Sequence, residues 1–100
     1  MRGMKYIAAL YEYDPENPAI ADSRPAHREF INGLNAEGKI LGSGPFPDAK
    51  GGALIVLQFT DETATIEDAA ATMDNDPFFV SGAVTTRDFR EWNPVINSFS

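Results

Sequence analysis

The sequence predicts an α+β domain: four antiparallel strands forming one sheet, with two helices on one of its faces. Three observations carry this reading. Runs of aromatic and β-branched residues alternate with helical periodicity in the order β-α-β-β-α-β. Proline and glycine mark most of the junctions. The length, 100 residues with 43% hydrophobic and 23% charged, suits one globular domain spanning 1–100, with a core of about 4–92 and an arm over 93–100.

The first strand is "KYIAALYE", 5–12, stopped by the irregular "DPENP". A helix follows, capped by Asp22 or Ser23, with Pro25 in its first turn, where a missing N–H costs nothing. Gly38 supplies its left-handed cap. "KILGSG", 39–44, is a short second strand, "PFPDAKGG" a turn-rich loop, and "ALIVLQF", 53–59, the clearest strand. Thr63 or Thr65 caps a second helix whose Ile66, Ala69, Ala70 and Met73 share a face. Asp76-Pro77 ends it, because a residue before proline avoids the α region. "AVTTRDFREW", 83–92, alternates as a last strand, and "NPVINSFS" reads as an extended arm.

This order is the split βαβ pattern of the ferredoxin-like fold. A sheet with one wet face should alternate apolar and polar. "YIAAL" and "ALIVL" do not, so both faces of the central strands are expected to be covered, the second by another copy of the chain. A homodimer is the expectation, with further stacking left open.

The charge, 8 basic against 15 acidic residues for a net of −7, argues against nucleic acid and anionic membranes as partners, since both need clustered Lys and Arg. No run reaches the roughly 18 apolar residues of a membrane span. Cysteine is absent, which excludes disulfide and thiolate chemistry. With Met1 leading directly into a strand, no secretory leader is expected, and the absence of cysteine makes a reducing cytoplasm the expected location. No metal site is expected, because one histidine without cysteine leaves only carboxylates without motif spacing.

That histidine, His27, lies in line with Phe30, Ile31 and Leu34 on the core face of the first helix. With strand 1 running upward, the topology gathers Arg24, His27, Ser43, Gly44, Pro45 and Asp76 at one rim of the sheet. Arg24 and His27, spaced i and i+3, share a helical face. His27 is a candidate general acid or base, and Asp76 a carboxylate able to hold one ring nitrogen. Arg24 is a candidate holder of an anionic substrate group, aided by free N–H groups at the helix start. Glycines 42 and 44 allow close backbone approach. Against these stand plainer readings: a tethered core histidine, a helix-ending Asp-Pro, hairpin glycines, and an Arg24 pairing with Glu16 or Asp22. Tyr6, Tyr11 and Tyr13 read as core and interface.

"RPAHREFINGL", "GKILGSGPFPD" and "DNDPFFVSGAV…REW" together resemble the YCII-related (YciI-like) family, from strand 1 to Trp92. The resemblance implies a dimeric α+β barrel similar to muconolactone-isomerase-like proteins, and a His–Asp pair in a pocket, here His27 and Asp76. One characterised branch of that family dehydrochlorinates a chlorinated hydroxyhydroquinone. The expectation is therefore a cofactor-free enzyme performing elimination or isomerisation on a small anionic or phenolic molecule. In it, His27 and Asp76 are catalytic, and Arg24, Ser43, Gly44 and Pro45 bind substrate. The alternative is a noncatalytic dimeric module that binds a small molecule.

Overall fold

The computed structural model describes residues 4–98. Its elements are β1 (Lys5–Glu12), α1 (Pro18–Ala36), β2 (Ile40–Pro45), β3 (Ala53–Phe59), α2 (Ile66–Met73), α3 (Pro77–Val80) and β4 (Thr86–Trp92). The four strands form one sheet in the order β2-β3-β1-β4, with every pairing antiparallel. This is the α+β, ferredoxin-like arrangement that the element order predicts.

Strand register divides the side chains between two faces. Ile7, Ala9 and Tyr11 of β1 lie opposite Leu57, Ile55 and Ala53 of β3, and all six are buried beneath the helices. Ile20 and Leu34 of α1, Met73 of α2 and Phe78 of α3 complete this core. On the other face Tyr6, Ala8, Leu10 and Leu54 remain only half-buried, with no helix over them.

Helix α1 starts earlier than the sequence suggests. Its cap is Asn17, not Asp22 or Ser23: the Asn17 side chain accepts from Ala19 N at 3.0 Å, and Pro18 occupies the first helical position. Pro25 is therefore internal. It leaves the Ala21 carbonyl without its i+4 donor, but Ala21 and Pro25 are both exposed, so water can satisfy that carbonyl. Gly38, at φ +76°, supplies the left-handed turn that ends α1.

Thr65 caps α2 in a reciprocal capping box with Asp68. Beyond it, the Asp76-Pro77 stop opens a further short helix, α3, which the sequence pattern does not announce. β4 begins at Thr86 because Ala83 N and Val84 N are bonded to Phe78 O, at 3.2 and 3.3 Å, closing α3. β2 is shifted one residue later than expected, which puts Ser43, Gly44 and Pro45 at its end, inside the strand. Residues 99 and 100 of the expected arm lie outside the described residues. In the part described, Val95 and Ile96 are each 86% exposed.

Candidate functional site

Because α1 begins at Pro18, His27 lies on its third turn rather than its first, and lines a cavity with Ser43, Gly44 and Pro45 of β2. The His27 side chain is 12% exposed. Its Nδ1 lies 2.8 Å from Asp76 Oδ1, joining residues 49 positions apart. Asp76 is fully buried, and its carboxylate collects three partners. Oδ1 faces His27 Nδ1 and accepts from Phe78 N at 3.0 Å; Oδ2 accepts from Tyr11 Oη–H at 2.8 Å. A buried carboxylate is costly unless paired and hydrogen-bonded, and these contacts meet that requirement. As the cap of α3, Asp76 is held at the point where the chain turns back toward the sheet.

Phe78 fixes the imidazole plane. The two rings stack with centroids 3.9 Å apart and planes inclined by 8°. Tyr13 meets the other edge of Phe78 at 5.6 Å and 61°. With its orientation set by the stack and Nδ1 committed to Asp76, His27 has Nε2 as its only ring nitrogen without a protein partner among the described residues.

Beside His27 opens a cavity of about 270 Å³, slightly below the roughly 300–1,000 Å³ of drug-sized sites. Arg24, Arg28, Asn32 and Ile31 of α1 form one wall, and Ser43, Gly44 and Pro45 of β2 the facing one, with Tyr13, Ala53 and Phe78 behind. Thus all six residues predicted from the sequence meet at one place: five line the cavity, and Asp76 stands behind His27. Arg24 pairs with neither Glu16 nor Asp22, since no ion pair to it occurs among the described residues. The expected help from free N–H groups at the helix start does not apply, because α1 begins six residues before Arg24. Gly44 lines the cavity with open space where a Cβ would stand, whereas Gly42 is absent from its walls.

Sequence reasoning missed Arg28, Phe78 and Tyr11. Arg28 follows Arg24 by one helical turn and so carries a second guanidinium onto the same wall. Tyr11 left a signal: it is the one polar-tipped residue in the helix-facing row Ile7, Ala9, Tyr11, and a buried hydroxyl needs a partner. Burial, reinforced by the Asp76 charge, pushes the Tyr11 phenol well above its ordinary range, and the Arg87 guanidinium opposes this only in part. Tyr11 therefore stays a hydrogen-bond donor to Asp76 at any ordinary pH. Among the described residues, no three His, Asp or Glu side chains gather as a metal site.

The profile of the YCII-related domain matches residues 4–93. The chain belongs to the YCII-related family. An uncharacterised Bacillus subtilis protein, YjpA, is 36% identical over 66 residues, which span 66% of this chain and 71% of YjpA. Among solved structures, the chain is similar to the 5-chloro-2-hydroxyhydroquinone dehydrochlorinase of Burkholderia phenoliruptrix in complex with 2,5-dihydroxybenzoquinone. That likeness has a TM-score of 0.71 at 20% identity, covering 88% of this chain and 93% of the other. A dimeric Bacteroides fragilis protein of unknown function and ferredoxin-like fold aligns with a TM-score of 0.56 at 13% identity, covering 92% and 97%. At these identities the structural likenesses establish the fold.

Proposed function

We propose that this chain is a small-molecule enzyme that moves protons without a redox step, with His27 as general base and acid and Asp76 as its orienting carboxylate. The single observation that supports it most is the 2.8 Å pairing of His27 Nδ1 with the fully buried Asp76 at the wall of an open cavity. With Nδ1–H given to Asp76, Nε2 takes a proton from an acidic C–H or O–H of the substrate. The carbanion or oxyanion pair left behind then expels a leaving group from a neighbouring carbon, or is reprotonated elsewhere. Elimination and isomerisation are the two outcomes. In either, the carboxylate steadies the imidazolium while it exists, and His27 releases the proton at the end of the cycle.

The cavity's chemistry favours a small, one-ring, anionic or phenolic substrate. Arg24 and Arg28 bring two guanidiniums, free of ion pairs among the described residues, onto one wall of a protein whose net charge is −7. Such planar donors suit a carboxylate or phenolate. Ile31, Pro45, Ala53 and Phe78 supply apolar surface for the ring, and Ser43 a hydroxyl on the opposite wall. The Burkholderia relative, solved with a one-ring dihydroxybenzoquinone, is consistent with this size.

We further propose a homodimer in which the uncovered sheet face meets its copy. Tyr6, Ala8, Leu10, Leu54 and Val56 give that face an apolar centre, with Gln58 of β3 and Asp88 and Arg90 of β4 around it, and the Bacteroides relative is dimeric.

The enzymatic reading is tested by screening small phenolic and carboxylate compounds for turnover, then repeating the reaction with His27→Gln. Loss of about 10²–10⁴-fold in kcat is expected, with the thermal midpoint little changed. Binding that weakens only modestly, with no compound consumed by the unmodified protein, would instead identify a binding module.

A further inference from the structure

The polar network does not end at the His–Asp pair. Tyr11 is 2% exposed, and its hydroxyl is the only hydrogen-bond partner of Asp76 Oδ2 among the described residues. Packing alone would be served by phenylalanine, since a buried hydroxyl without a bond is a cost. The phenol reaches Asp76 from the sheet, while His27 reaches it from α1 and the Phe78 amide from α3. The carboxylate is thus held from three different elements, β1, α1 and α3.

Arg87 steadies the far side of Tyr11. It is the β4 residue directly opposite Tyr11 in register. Its guanidinium lies 3.6 Å over the Phe79 ring and donates to Asp74 Oδ1 at 2.7 Å, with Nη1 buried and without a hydrogen-bond partner among the described residues. Phe79 and Asp74 flank the Asp76–Phe78 segment on either side. Sheet and cap are therefore clasped together around the phenol.

We infer that Tyr11 is a positioning residue: through Asp76 it fixes His27 as the Nδ1–H tautomer and leaves Nε2 as the acceptor facing the cavity. This rests on the reading of His27 as the proton-transfer group. Without the phenol, Oδ2 loses its one donor. The carboxylate is then free to rotate or to recruit water, and its hold on Nδ1 slackens. The phenol itself touches no substrate and transfers no proton.

The chain has a single histidine, so its imidazole nitrogens can be observed without assignment by mutation. In ¹⁵N-labelled wild-type protein, long-range ¹H–¹⁵N spectra at neutral pH should show a predominantly Nδ1-protonated ring. A slowly exchanging, downfield Nδ1 proton should accompany it. In folded Tyr11→Phe protein the Nδ1–H share should fall and that proton should be lost to exchange. A ring in the folded variant with the same tautomer and the same protected proton would overturn the inference. If Tyr11→Phe does not fold, protein labelled with 3-fluorotyrosine decides. The more acidic phenol should shift the His27 Nδ1 proton, and an unshifted signal would count against the role. These spectra involve no turnover, so their failure is distinct from failure of the catalytic reading, which shows as retained activity in His27→Gln.

Discussion

The two faces of the sheet use similar residues for different ends. On the helix-covered face, Ile7, Ala9, Ile55 and Leu57 are sealed within the chain itself, and the one polar tip among them, Tyr11, has a dedicated partner. On the opposite face, Tyr6, Ala8, Leu10 and Leu54 are equally apolar yet stay half open. A polar atom inside a covered face marks a site, because it must be matched to remain there. The apolar patch on the uncovered face is the surface proposed above to meet another copy of the chain. Composition does not separate the two; the period-2 alternation along β1 and β3 does.

The largest effect expected on the covered face comes from Asp76. Asp76→Ala strips an acceptor from Tyr11, His27 and the Phe78 amide at once, and should lower unfolding free energy by about 3–5 kcal/mol, measured by urea denaturation. In the double variant with Tyr11→Phe no phenol is left in need of a partner, so the combined cost should be less than the two single costs added. Simple additivity would mean that the contact is not a coupled one.

On the uncovered face, Leu10→Glu should convert the proposed dimer to monomer in sedimentation at micromolar concentration while the circular dichroism spectrum is kept. A wild-type protein that sediments as a monomer under the same conditions would remove the proposed contrast between the faces.

The smallest effect is on the alkaline limb of stability. Tyr11 has a raised pKa in the folded state, so its stabilising contribution is complete below the ordinary phenol value of about 10. Above it the folded protein holds a proton that the unfolded chain has released. Stability therefore falls as pH rises, by up to about 1.4 kcal/mol per pH unit for one proton. Tyr11→Phe should make this limb shallower between about pH 9 and about pH 11, whereas parallel limbs would mean that the phenol is not held as described.

Much of this molecule is legible from residues alone. The bounds of β1 and β3 follow from continuous apolar runs stopped by Pro, Asp and Gly, and agree with the structure. The start of α1 is misplaced by sequence because Pro25 resembles a first-turn proline, while Asn17-Pro18, an equally good cap and first position, sits in a segment that reads as irregular. Helix α3 is four residues long and shows no period to detect. The convergence of His27 and Asp76 follows from strand direction, but their 2.8 Å contact needs the tertiary placement of α3. Tyr11 reads as core, and it is; that its hydroxyl has a task depends on a residue 65 positions away.

The central claim is that the imidazole of His27, paired with Asp76, carries the proton. Its most direct test is chemical rescue of His27→Gly with free imidazole, which can enter the cavity that the deletion enlarges. Turnover should fall by about 10²–10⁴-fold and recover in part, in proportion to added imidazole. Full turnover by a folded His27→Gly protein without imidazole would contradict the account.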